Sequence, residues 1–257
     1  MQKLFLVVVA LGISMASFSQ ESKKDKKAEK KRKTELLISQ EEEGVIAYRK
    51  HFVVGGKLTN SGYGIFFELG RASSVKKGML YQLEITELKS NKEIKVYNPF
   101  DPVSSFVYGK ENFIYPLKLG AQQQRVIGNK SNKNGVSIFA NYGGGLLLGF
   151  SRPYYVQLDD GNYVKYDSPD STLFLQGDHI IGANNFSKGW SEMTIIPGLY
   201  AKGAFRFDYG AYNELVSALE IGATAEFYTS DIHIMAHSPA KQFFVTGYVA
   251  IMFGKRR

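Results

Sequence analysis

The sequence predicts an all-β chain in which eight antiparallel strands close into a transmembrane barrel, and three observations carry that prediction. In residues 243–254, Phe243, Val245, Val249, Ile251 and Phe253 fall at one parity, and Thr246, Tyr248 and Ala250 at the other. The same alternation recurs in eight segments from Tyr48 onward, at about 48–58, 62–71, 78–89, 113–127, 136–151, 193–208, 215–228 and 243–254. The connections between them alternate in length. A strand needs roughly 9 to 11 residues to cross a bilayer at a tilt, and closing the sheet leaves no unpaired backbone in lipid.

Composition agrees. The 257 residues include 16 Tyr, 18 Phe and 26 Gly but one Trp, a balance suited to strands, interfacial girdles and tight barrel packing. With no cysteine, disulfides, thiolate metal sites and lipid attachment at cysteine are excluded. The net charge of +8 resembles a nucleic-acid signal only until it is located. Lys23, Lys24, Lys26, Lys27, Lys30, Lys31, Arg32 and Lys33 face only Asp25 and Glu29, so most of the excess sits in one short stretch and no nucleic-acid partner is expected.

Residues 1–19 carry Lys3, the apolar run 4–13 and small residues ending Ala-Ser-Phe-Ser, which reads as a signal peptide cut before Gln20. A retained N-terminal anchor is the alternative. Residues 20–44 bury too little to offset their ordering entropy and read as a flexible basic periplasmic tail, either an electrostatic tether or a solvated spacer. The barrel is then assigned to residues 45–257.

In each segment one face is greasy. Tyr63, Ile65, Phe67 and Leu69 share a side, as do Tyr81, Leu83 and Ile85, and Leu199, Phe205 and Phe207. The opposite face collects Lys57, Glu68, Glu84, Lys118, Lys202, Arg206, Glu220 and Glu226. Alternation alone fits a water-soluble sandwich as well. The leader, strands of roughly 10 to 16 residues against an ordinary 5 to 6, and the final strand favour lipid outside and charge inside. With an interior just wide enough for side chains, the four acids and four bases are expected to close on one another as a structural ion-paired lumen network. A narrow gated channel is the alternative. His51, near the start of the first strand, reads as interfacial. Gly143, Gly144 and Gly145 read as a wall kink or as room for a bulky lumenal neighbour.

The connections at 72–77, 128–135 and 209–214 are short and read as periplasmic. Those at 90–112, 152–192 and 229–242 are long and read as external. The hairpin turn at 59–61 is the one short outer connection. A loop as long as 152–192 is usually functional. Tyr154 to Tyr166 reads as a hairpin with the acidic turn Asp159-Asp160-Gly161-Asn162, and Tyr154, Tyr155, Phe174, Phe186 and Trp190 are expected to form an outer-loop contact surface. His233 and His237 near Asp231 lack a third strong ligand for metal. His179, His233 and His237, with Ser171, Asp178, Ser230 and Asp231, have no spacing that singles out a triad. No catalytic residue, cofactor or metal is therefore assigned.

The leader ending Phe-Ser-Gln, Tyr63-Gly-Ile-Phe-Phe-Glu68, Tyr108-Gly-Lys-Glu-Asn-Phe113, Asn132-Lys-Asn-Gly-Val136 and Phe253-Gly-Lys-Arg256 resemble a family of small outer-membrane barrels of Bacteroidota-type bacteria. The resemblance spans about residues 45–257, and its motifs are structural, so no catalytic residue is carried over. In shape the chain is also similar to the barrel of outer-membrane protein A and to the small barrel of the type IX secretion system. The expectation is a non-enzymatic barrel in the cell outer membrane, structural or docking in role. Its partners would be outer-membrane lipid, lipopolysaccharide and an envelope protein, with no oligomeric state assigned. The alternatives are an accessory subunit of a secretion or barrel-assembly machine and an enzyme that modifies lipid A or phospholipid.

Overall fold

A computed structural model describes residues 50–74, 76–98, 101–130, 135–166, 171–175, 179–183, 188–210 and 214–256. Residues 1–19 and 20–44, read above as a leader and a basic tail, lie outside these residues. Eight long strands form the wall: β1 (Lys50–Thr59), β2 (Gly62–Ser74), β3 (Lys77–Thr86), β6 (Asn112–Gly128), β7 (Ser137–Pro153), β11 (Thr194–Asp208), β12 (Leu215–Ile232) and β13 (Lys241–Arg256). They close in the order β1-β13-β12-β11-β7-β6-β3-β2, every pair antiparallel. The first strand meets the last directly, with Gly55 opposite Met252 and Lys57 opposite Ala250.

Period-2 alternation fixes this register because a slip of one residue would turn every charged side chain into lipid. The outward positions are apolar and exposed, including Ile65, Leu119, Leu199, Val245 and Phe253, the last 60% exposed. The inward positions are buried and largely polar. Glycines stand where a ring lies against the inner wall. A Cβ at Gly55 would meet the Phe66 ring at 2.4 Å, at Gly70 the His51 ring at 1.9 Å, and at Gly149 the Tyr228 ring at 2.7 Å. Within the fifth wall strand, Gly143 and Gly145 share the inward parity. A Cβ at Gly120, directly opposite Gly145, would strike the Tyr200 hydroxyl at 2.4 Å, so this part of the wall makes room for a bulky lumenal side chain.

The long outer connections are themselves folded. In the 90–112 connection, β4 (Lys95–Asn98) pairs antiparallel with β5 (Asp101–Val107), two strands with no alternation strong enough to read from sequence. The 152–192 connection holds β8 (Tyr155–Leu158), β9 (Tyr163–Lys165), a one-turn helix α1 (Ser171–Leu175) and β10 (Ile180–Ala183). β8 pairs with both β9 and β10, so the hairpin expected at 154–166 is present and gains a third strand.

Candidate functional site: the ionic lumen and the outer cap

Lumenal charges converge because strands on opposite walls point them at a common axis. Arg206 on β11 donates from Nη1 and Nη2 to the two carboxylate oxygens of Glu68 at 2.7 and 2.6 Å. These two strands stand four places apart in a ring of eight, so the pair spans the diameter. Arg206 also donates from Nε and Nη2 to Glu220 at 2.9 and 2.8 Å. Glu220 further accepts from Lys202 at 2.8 Å, Tyr248 at 2.7 Å and Asn141 at 3.0 Å. A bidentate arginine on carboxylates that each accept from several donors is the arrangement in which buried charges are tolerated.

A second string runs beside the first. Lys57 and Lys118 both donate to Glu84 Oε1, at 2.8 and 3.1 Å, and Lys118 pairs with Glu226 at 2.7 Å. Tyr228 donates its hydroxyl to the other Glu226 oxygen at 2.9 Å. The Tyr248 ring lies between the two strings, with Lys57 Nζ 3.8 Å and Lys202 Nζ 5.1 Å from its centroid. All eight charged residues expected in the lumen therefore lie inside the wall, buried and in ionic contact with one another.

Uncharged or neutral-capable residues join them as well. Lys202 donates to Gln82 at 3.0 Å, and Gln122 donates to Gln82 in turn. His51 is not interfacial as the sequence reading held: its side chain is buried and its Nε2 lies 3.1 Å from Glu68 Oε1. The reason is parity, since His51 alternates in step with Val53, Gly55 and Lys57. Tyr248 was also readable, because it opposes the greasy residues of the last strand.

Apolar layers bound the network at both ends. Toward the short turns lie Val53, Val216, Ala218 and Met252, with the Asp208–Arg256 ion pair beyond them. Toward the long connections lie Leu88, Ile114, Leu147, Tyr200, Tyr228 and Ile232.

Above this second layer sits a cap with its own core, in which Phe106 of β5 packs with Tyr154, Val156, Leu158, Val164, Phe174 and Ile180. The Val107 N–H donates to the Tyr154 hydroxyl at 2.9 Å, and burial pushes that phenol up to about 12. Tyr154 and Phe174, expected to offer contact surface, are instead buried at 3% and 1% exposure, because the two long connections fold onto each other and sequester them. Trp190 is on the surface; it stacks on Tyr115 at 6.0 Å with the Arg152 guanidinium 5.0 Å from its ring, pinning the cap's return segment to the wall. Tyr155, half-buried, donates to Glu192 at 2.6 Å. Phe186 lies outside the described residues.

The histidines of the outer connections are dispersed. His179 contacts Asp159 at 3.0 Å, His233 lies 3.8 Å from Glu111, and His237 stacks on Tyr108. Among the described residues no three His, Asp or Glu side chains gather as a metal site. No helix among them is long and apolar enough to cross a membrane, a statement that does not bear on strands.

Neither protein-family models nor curated proteins match this chain. Among solved structures it is similar to Ail, the attachment invasion locus protein of Yersinia pestis, in complex with the heparin analogue sucrose octasulfate, at 10% identity and a TM-score of 0.38, covering 82% of this chain and 100% of that one. Neisserial surface protein A matches at 10% identity and a TM-score of 0.38, covering 81% and 96%. The N-terminal β-barrel domain of Pseudomonas aeruginosa OprF matches at 8% and 0.35, covering 81% and 99%. The architecture rests on the chain's own geometry: a closed eight-stranded ring, greasy outside and ionic within, is an all-β transmembrane barrel of the outer-membrane type.

Proposed function

We propose that the chain is a non-enzymatic barrel of the cell outer membrane that holds a folded cap outside the bilayer as a docking scaffold. The observation that carries this reading is the pairing of a charge-balanced, side-chain-filled lumen with a cap that has an apolar core of its own. A lumen of four carboxylates and four cations, each committed to a partner, supports a rigid post better than a path for solutes. The cap's second connection, tied back by Trp190 and Arg152, supports a shape held for recognition.

The exposed residues of the cap define where a partner would sit. Ile94, Val96 and Tyr97 project from the β4 region, Ile94 at 72% and Tyr97 at 62% exposure, and Tyr163 and Trp190 are exposed on the second connection. The test is a pull-down of the tagged protein from native membranes in mild detergent, run beside a Tyr97→Asp/Trp190→Asp variant and a chain lacking residues 23–33. Retention of one envelope protein by the wild type and its loss from the cap variant is the expected result. Loss only on deleting 23–33 would assign docking to the tail, and retention of a large secretion or assembly complex would make the chain an accessory subunit. Single-channel recordings with steady conductance, or a change in lipid A mass that depends on the gene, would overturn the scaffold reading.

A further inference from the structure

The lipid-facing surface is apolar around the barrel, but its rim on the side of the short turns is not uniform. Lys255 on β13, Lys50 on β1, Arg71 on β2, Lys77 on β3 and Arg125 on β6 are all exposed. Each has the same outward parity as the belt residues of its strand, among them Phe253, Phe52, Leu69 and Tyr81. These five strands are consecutive around the ring. The corresponding outward positions on the other three are Ile138 and Ala140, Phe207, and Leu215 and Ser217. The cations thus form one arc, and the outward wall positions named on the other three strands are uncharged.

Register makes the arc costly in isolation. Lys50 is directly opposite Arg71, and Lys77 directly opposite Arg125. Like charges so placed repel across roughly 4.5 to 5.5 Å. The carboxylates nearest in sequence on these strands, Glu68 and Glu84, point into the lumen and are consumed there. Among the described residues, no ion pair joins any of the five to an acid. Arg125 lies 5.5 Å from the Tyr142 ring centroid, and the Tyr142 hydroxyl donates to Gln123, a polar step where the apolar belt ends.

We propose that this arc is a binding site for the phosphate of an anionic diacyl phospholipid, with Lys50–Arg71 and Lys77–Arg125 as two phosphate-binding pairs. An anion between each pair turns a repulsive contact into two attractive ones. The choice of a lipid over a soluble anion follows from continuity: Leu69, Met79, Tyr81 and Ala121 lie on the same outward face next to the cations, where the acyl chains of that lipid would rest. The site belongs to the barrel wall and is independent of what the cap binds.

The experiment folds the full chain into vesicles of equal phosphatidylethanolamine and phosphatidylglycerol, extracts it in mild detergent and measures co-purified lipid by mass spectrometry. Phosphatidylglycerol is expected to be enriched over phosphatidylethanolamine at low salt and to lose that enrichment at high salt. Each cation removed in Lys77→Gln/Arg125→Gln should reduce enrichment about fivefold, while Lys165→Gln in the cap leaves it unchanged. Heat-modifiable gel mobility verifies that each variant is folded; if the rim variants fail it, the lipid ratio and salt dependence of the wild type decide. Equal retention of both lipids, enrichment unaltered in a folded rim variant, or uptake of inorganic phosphate without lipid enrichment would each overturn the proposal.

Discussion

The barrel and its cap solve the same problem with opposite interiors. The cap encloses Phe106, Tyr154, Val156, Leu158 and Phe174 and turns polar groups outward, as a water-soluble domain does. The barrel encloses Arg206, Lys202, Glu68 and Glu220 and turns Leu119, Leu199 and Phe253 outward. One chain carries both solutions because its two parts face different solvents. Lipid removes the hydrophobic incentive to bury apolar side chains, so the wall is held by backbone pairing and a buried, ion-paired polar network. Water restores that incentive beyond the rim.

That contrast can be broken most severely from the lumen. Glu220→Ala leaves Arg206, Lys202, Tyr248 and Asn141 without their shared acceptor, and is expected to cost about 3 to 5 kcal/mol. The check is the unfolding midpoint of heat-modifiable mobility in detergent, and a midpoint equal to wild type would show that the network contributes little. In the cap, Phe174→Ala is expected to cost about 3 kcal/mol of local stability. It should speed protease cleavage within 152–192 while leaving barrel melting unchanged; parallel loss of both would mean the two cores are one cooperative unit. On the outer wall, Leu119→Arg places a cation near mid-belt and should cost about 2 kcal/mol, read as a lower yield of folded barrel in vesicles. An unaffected yield would argue against lipid at that position.

The smallest effect is a pH response confined to the cap. Tyr154 has its phenol raised from about 10 to about 12 by burial. Below pH 10 the proton is bound in both folded and unfolded cap, and the stabilisation is fully present. Between 10 and 12 the unfolded cap releases the proton first, so cap stability falls as pH rises through that window. Hydrogen exchange at residues 154–165 should accelerate there in the wild type and less so in Tyr154→Phe.

Much of the wall was legible because each strand repeats the same two-residue code. Every one of the eight segments has a counterpart strand within a few residues, and the residues read as inward, from Lys57 to Glu226, are buried. His51 is legible by the parity of its own strand, where Lys57 marks the inward side, and not by its nearness to the strand's start. The cap was legible only locally. The Asp159-Asp160-Gly161-Asn162 turn announced its hairpin, but nothing in a linear pattern brings Phe106 to Tyr154 and Phe174, since that contact joins two connections separated by a pair of wall strands. Apolar residues in such segments tell that a core exists without telling which ones fill it.

The diametric pairing of Arg206 with Glu68 bears on how the molecule reaches the membrane. A half-built sheet has β2 or β11 but no facing wall, so Glu68 or Arg206 would lack its partner across the diameter. Insertion strand by strand is therefore disfavoured until the ring shuts, and the last step of assembly both neutralises the interior and removes the exposed sheet edges.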